Sequence, residues 1–357
     1  MHYRQKKKQE YQEAIFVVVV KEQEKLQGAI FGGIKMNEIV SYQNGNYMVE
    51  LNLANGSKTR ENDLTFFKAD FPECCDYKIT NCCPFGNCQF CHENSTPNGK
   101  HGDILGEQGI KVLESFHEYT ELAIGGGDPL SHPDLIPFLR KCKELNLIPN
   151  MTVHQFAFMK NQELIEQLVN EKLIYGIGVS LVDPLQPQFL KTISKYPNLV
   201  LHVINGIVTM DTLRALKNRG LKILILGYKT VRRGEEYVKE DWAKELVANK
   251  QKAIYDNLSR MIDEKWFSVI SFDNLAIKQL EPKRLMSEED WNTMYMGDDG
   301  QDGEQTSASM YIDGVEMQYA RNSCDVNHRY DVGNKTVTEM YQFLRDLNGG
   351  NNNETNS

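Results

Sequence analysis

Between Ile39 and Phe67, apolar and polar positions alternate around two Asn-Gly pairs, in YQNGNYMVELNLANGSKTRE. A period of two puts every second side chain on one face, and Asn-Gly is a strong hairpin turn. Residues 36–70 are therefore expected to form a small antiparallel β meander. After Cys91 the rhythm changes to short β-branched runs separated by helical stretches. ELAIGG (121–126) precedes a helix near 132–146, and IPNMTVH (148–154) one near 161–172. LIYGIGVSL (173–181) leads to a helix near 185–195, and NLVLHVINGIV (198–208) to one at 211–219. LKILILGY (221–228) leads to a long charged helix over 235–264. With DYKITN (76–81) in front, this makes about six β–α units, which implies a parallel sheet, open or curled into a barrel. In such folds ligands bind at the carboxyl ends of the strands. The core spans 71–280, and a C-terminal extension spans 281–347. The extension holds an acidic Gly-rich loop (MGDDGQDGEQ), a hairpin (SASMYIDGVEMQYA) and a short helix near 336–346. NGGNNNETNS (348–357) is low in complexity and is expected to be disordered.

Residues 1–35 read differently. A basic RQKKK precedes AIFVVVV (14–20), but that run is short and no small-residue cleavage site comes after it, so it is not taken as a signal peptide. GGIKM (32–36) is encodable by GGAGGAATAAAAATG, a bacterial ribosome-binding sequence ahead of a start codon. Residues 1–35 are thus expected to be translated leader, with the natural chain starting at Met36. The alternative is a genuine N-terminal helix, because residues 5–27 include good helix formers.

Composition narrows the function. Of 357 residues, 41% are hydrophobic and 25% charged, as in an ordinary globular enzyme. With 40 Lys+Arg against 49 Asp+Glu the net charge is −9, which argues against broad nucleic-acid binding. No apolar run is long enough for a transmembrane helix. Six of the eight cysteines fall between Cys74 and Cys91, leaving Cys142 and Cys324 alone. Without an export signal the expected compartment is the cytoplasm, where clustered thiols are more often metal ligands than disulfides.

The densest stretch, CCPFGNCQFCHE (82–93), directly follows the first strand of the β–α series. Cys88 and Cys91 form a Cys-x-x-Cys, with Cys83 five residues earlier. A zinc knuckle needs four ligands, and neighbouring Cys74, Cys75 or Cys82 are poorly placed to complete one, since adjacent strand residues face opposite ways. Three thiolates on one tight loop suit an iron–sulfur cluster with one iron open to a small molecule. On residue chemistry alone zinc and a thiol-redox or structural role stay open beside it.

DYKITNCCPFGNCQFCHENS resembles the opening of a radical S-adenosylmethionine (SAM) enzyme. In that family the first barrel strand ends in a Cys-x-x-x-Cys-x-aromatic-Cys loop that binds a [4Fe–4S] cluster. AIGGGDPLSHPDL (123–135) is similar to the family's Gly-Gly-Glu-Pro motif at the end of the second strand. The resemblance covers residues 76 to 275 and implies a partial (β/α)6 TIM-like barrel, with the meander and the C-terminal hairpin and helix covering its open side. It implies Cys83, Cys88 and Cys91 as metal ligands, with Phe90 at the aromatic position. Two departures stand out. The first gap has four residues where the family has three, with the extra one placed near Gly86 and Cys82 the alternative first ligand. Asp128 stands where the family has Glu, and is expected to accept from the methionine ammonium of SAM.

The same resemblance implies that Gly126 and Gly127 let the methionine moiety approach, that Ser180 meets the ribose and that Gly206 lies beside the adenine. His154 and Gln155 end the third strand at the same mouth, either as SAM or substrate contacts or in a structural role. Lys229, Arg232 and Arg233 either bind a carboxylate or phosphate or form a solvated loop. Many peptide-modifying relatives carry a Cys-rich extension for auxiliary clusters; with only Cys142 and Cys324 downstream, none is expected here. The implied activity is reductive SAM cleavage to a 5′-deoxyadenosyl radical that abstracts hydrogen from a substrate. The implied partners are a flavodoxin or ferredoxin as electron donor and a peptide or protein as substrate. A small metabolite or nucleoside is the second choice, and a non-catalytic iron–sulfur or zinc module the reading from another class.

Overall fold

The computed structural model describes residues 7–11, 16–19, 39–64, 67–295 and 307–349. Most of the proposed leader, the 296–305 loop and nearly all of the terminal tail lie outside the described residues. Within residues 1–35, Lys7–Tyr11 (β1) and Phe16–Val19 (β2) are strands. Ile39–Asn44 (β3), Tyr47–Asn52 (β4) and Lys58–Asn62 (β5) form the expected antiparallel meander, with β1 paired on β5. The β3–β4 turn needs glycine: Gly45 has φ +56°, and a Cβ there would sit 1.8 Å from the Lys68 carbonyl oxygen.

The β–α series begins with Cys74–Thr80 (β6) and Glu107–Glu114 (α1), a helix not anticipated from the sequence. It continues through Glu121–Gly126 (β7), Leu135–Glu144 (α2), Ile148–His154 (β8), Gln155–Lys160 (α3) and Gln162–Asn170 (α4). Gly176–Ser180 (β9), Phe189–Ile193 (α5), Leu199–Ile204 (β10), Met210–Leu216 (α6) and Lys222–Leu226 (β11) come next. The long charged helix is two: Arg233–Tyr237 (α7) and Asp241–Asp263 (α8), broken where Glu240 turns extended. Val269–Phe272 (β12), Asn274–Leu280 (α9) and Glu288–Met294 (α10) end the core. The extension adds Ser309–Asp313 (β13), Gln318–Ala320 (β14), Tyr330–Asp331 (β15) and Val337–Gly349 (α11).

Strands β6 to β12 pair in sequence order, all parallel, in a partial radical-SAM-type barrel one strand longer than the six expected. The C-terminal hairpin does more than cover the barrel. Its β13 pairs parallel with β6, Ser309 opposite Cys74, and so lengthens the wall. At the other edge β12 pairs antiparallel with β2, and among the described residues no ladder joins β2 to β15, the two ends of this sheet. Outward-facing Tyr77, Ile79, Leu122, Ile124, Val153 and Val179 are buried beneath the helices. The period of two turns Asp76, Lys78, Asn150, Ser180 and His202 toward the lumen.

The meander does not cover the barrel's open side, as expected, but docks at the opposite, amino-terminal ends of the strands. Its β4–β5 turn lines the floor of the lumen, where Asn198 Nδ2 donates to the Ala54 carbonyl at 3.2 Å. Lys58 pairs with Glu73 at 3.1 Å and with Glu121, and Arg60 pairs with Glu73 at 2.9 Å, all almost fully buried. Tyr47 donates its hydroxyl to Glu73. Burial alone would raise the Glu73 pKa, but Arg60, Lys58 and the Tyr47 and Arg60 hydrogen bonds outweigh it and hold it at about 2.

Glu73→Gln leaves two buried cations with one carboxylate between them, and should destabilise the fold by about 3–5 kcal/mol in urea unfolding. The Glu73 contribution is fully present above the unfolded carboxyl value of 4.5 and is lost as pH falls toward about 2. The gap between wild type and Glu73→Gln should therefore close as the pH is lowered through that window.

Candidate active site

The carboxyl ends of β6 and β7 are tied together by backbone. The amide of Gly127 donates to the Thr80 carbonyl and that of Asp128 to the Cys82 carbonyl, both at 2.7 Å. The fit excludes a side chain: a Cβ on Gly127 would lie 2.1 Å from the Cys82 oxygen, and one on Gly126, at φ +107°, 2.4 Å from the Thr80 oxygen. Cys82 is thereby turned outward, its thiol donating to the Pro97 carbonyl at 3.3 Å. Cys83 turns inward.

Cys83, Cys88 and Cys91 line one cavity of about 1330 Å³ that fills the lumen. Phe90, Gly126, Gly127 and Ser180 line it as well. The four-residue gap closes in a tight turn, with Gly86 N donating to Cys83 O at 2.8 Å and Asn87 N to Phe85 O at 2.7 Å. The turn needs glycine at 86, where a Cβ would stand 2.7 Å from the Cys83 oxygen. Burial pushes the Cys83 thiol up to about 11, and neighbouring Asp128, Cys88 and Cys91 act in the same direction against a backbone hydrogen bond. Burial and Cys91 raise Cys88, partly offset by Arg233. The three thiols are thus close enough to feel one another.

Asp128 and Gly206 do not line the cavity. Asp128 is 2% exposed and caps the next turn, accepting from Leu130 N at 3.2 Å. Burial raises its pKa to about 6, and among the described residues no cation offsets this. Gly206, at φ +96°, faces α8, where a Cβ would meet Val247 Cγ1 at 2.8 Å. Close packing and a left-handed backbone therefore explain this glycine. His154 caps α3 through Phe156 N and stacks on Phe85, ring centroids 5.3 Å apart. Gln155 is structural: it accepts from Val182 N and Asp183 N and donates to Asp183 O, holding the loop after β9.

Lys229, Arg232 and Arg233 lie against the cysteine loop, with Lys229 and Arg233 on the cavity wall. Arg232 donates to the His92 carbonyl at 2.7 Å, and Arg233 to the carbonyls of Gly86 at 3.0 Å and Ser95. Lys229 reaches Ser323 Oγ at 3.2 Å and His92 Nε2 at 3.4 Å, pinning the C-terminal segment beside the cysteine loop. Cys324 lines the cavity there, whereas Cys142 is buried on α2. A bridge not anticipated from the sequence runs beneath the loop: Lys78 pairs with Glu93 at 3.2 Å and with Asp313 at 2.9 Å. Its signal was present, a lysine at an inward position of a largely buried strand.

Among the described residues no three His, Cys, Asp or Glu side chains already stand in a metal-ligand arrangement. The donor chemistry nevertheless fits an iron–sulfur group: three thiols face one cavity and a fourth is turned away. A cavity of this size at the carboxyl ends of parallel strands leaves room for a nucleoside ligand and more.

Residues 77–236 match the family model of the radical SAM superfamily, so that stretch of the chain carries a radical SAM domain. Similar solved structures include Streptococcus suis SuiB bound to S-adenosylmethionine, with a TM-score of 0.59 and 12% identity over 88% of this chain and 90% of that one. SuiB bound to the precursor peptide SuiA gives 0.52 and 14% over 80% and 68%. At such identities the likeness is one of fold. A comparison with curated protein sequences returns no significant match. No helix among the described residues is long and apolar enough to cross a membrane.

Asp128→Asn keeps an oxygen for Leu130 N and removes the charge. A carboxyl raised from 3.8 to about 6 holds its proton longer folded than unfolded, so its penalty is absent below pH 3.8 and complete above about 6. Asp128→Asn should therefore be more stable than wild type by about 1–3 kcal/mol at pH 7.5, with the gain shrinking toward pH 4 in thermal melts.

Proposed function

We propose that this enzyme cleaves SAM reductively at a [4Fe–4S] cluster held by Cys83, Cys88 and Cys91, and uses the resulting radical on a peptide. The observation that carries the reading is the meeting of those three thiols with Gly126, Gly127 and Ser180 on one cavity. When bound and reduced by a flavodoxin or ferredoxin, the cluster supplies the electron that splits SAM into methionine and a 5′-deoxyadenosyl radical.

The chain's own groups hold and shield. Gly126 and Gly127 offer backbone to the amino-acid end of SAM, and Ser180 a hydroxyl to the ribose. Asp128 lies just behind the Gly126–Gly127 wall, and turning its carboxylate from Leu130 N toward the cavity would let it accept from the methionine ammonium, which would relieve its raised pKa. Phe90, packed edge-on against Tyr237 at 6.3 Å, walls the loop, and the apolar part of the lumen keeps water from the reacting carbon. A wall left unclosed between the β2 and β15 edges suits a chain substrate better than a small metabolite, and the SuiB structure holds a precursor peptide.

Anaerobic reconstitution should load about four irons per chain. Cys83→Ala, Cys88→Ala and Cys91→Ala should each lose the cluster while Cys82→Ala keeps it; the reverse pattern at Cys82 and Cys83 would move the first ligand. With dithionite the loaded protein should release 5′-deoxyadenosine, and iron uptake without any such release would favour a non-catalytic module. SAM affinity should fall as pH drops below about 6, where Asp128 takes up its proton. Asp128→Asn should weaken SAM binding on the order of tenfold to a hundredfold and flatten that pH dependence in calorimetry.

A further inference from the structure

Arg232 and Arg233 are consecutive, yet both side chains reach back to the cysteine loop. The backbone makes this possible at a cost: Arg232 stands at φ +51°, ψ −127°, a region that residues with a side chain rarely occupy. Arg232 holds the far end of the loop through the His92 carbonyl and Glu93 at 3.3 Å. Arg233 spans the loop, with Nη1 on the Gly86 carbonyl and Nη2 on that of Ser95. Gly86 is the residue near which the sequence places the extra position between the first two cysteines. The clamp and the sequence irregularity therefore meet at one atom, the Gly86 oxygen.

The partners of Arg233 are carbonyls and not carboxylates, so its charge is uncompensated by these contacts. Its Nε–H is buried without a partner, and its guanidinium acts on Cys88. A buried donor left unpaired is costly, and an anionic group seated on the Cys88 side would remove that cost.

Resting on the cluster reading above, we propose that Arg233 is a positioning residue for the four-residue gap. Its fork fixes the Gly86 turn so that Cys83 and Cys88 face the same metal group, and its charge raises that group's affinity and reduction potential.

The full chain and its Arg233→Gln and Arg233→Lys variants would be reconstituted anaerobically with iron and sulfide. Iron content, the rate of cluster loss to EDTA and the midpoint of an EPR-monitored redox titration would be read, with melting curves of the iron-free proteins beside them. Arg233→Gln should lose the cluster at least about tenfold faster and titrate at a more negative potential, with iron-free melting unchanged. Arg233→Lys keeps the charge and loses the fork, so it should retain the wild-type midpoint while shedding iron faster than wild type. An Arg233→Gln protein equal to wild type in both stripping rate and midpoint overturns the proposal. Should that variant fail to fold, Arg233→Lys decides: a wild-type stripping rate overturns it. A wild-type chain that takes up no iron would instead sink the cluster reading itself.

Discussion

Two backbone hydrogen bonds, from the amides of Gly127 and Asp128 to the carbonyls of Thr80 and Cys82, fix the start of the cysteine loop. They form where the β6–β7 register shifts, between Lys78 and Thr80, so the strand ends are staggered by the ladder itself. With both carbonyls occupied, the chain reverses between Cys82 and Cys83, sending one thiol to the Pro97 carbonyl and the next into the lumen. The close contact demands glycine at 126 and 127. The same contact buries Asp128 behind them. A single steric fit thus decides which cysteine faces the cavity and where the nearest buried carboxylate lies.

Charge is distributed with matching economy. Cations under and around the loop (Lys78, Lys229, Arg232 and Arg233) come from different segments of the barrel and tie the loop to the C-terminal extension through Asp313 and Ser323. Among the described residues Asp128 is left without a cation, and a folded state that keeps such a group gives up stability for it. That pattern belongs to sites held ready for a ligand more than to scaffolding.

Much of this was legible in the chain. The two Asn-Gly turns and the period-two runs located the meander and the strands, because turn chemistry and side-chain alternation are local properties. The cysteine spacing and GGGDP located the mouth. The features that stayed hidden depend on long-range placement. Which end of the barrel the meander covers is set by Lys58 and Arg60 finding Glu73 and Glu121, and no local pattern encodes that pairing. Glycines are ambiguous in the same way: Gly206, expected beside the adenine, packs on α8, and a sequence shows that a Cβ is excluded without showing which neighbour excludes it. Anion binding and a solvated loop both stayed open for the arginines after β11, because the loop carbonyls that Arg233 meets are 138 and 147 residues away.

The turn that lines the lumen floor also governs access. With Asn198 fastening Ala54 across the amino-terminal end, the β4–β5 turn narrows the lumen on that side. Cosubstrate, substrate and the spent products then share the mouth and the open flank beside it. In a lumen of that form, a molecule seated at the cysteine loop would wall in whatever enters after it, and the geometry itself would set an order of arrival and departure.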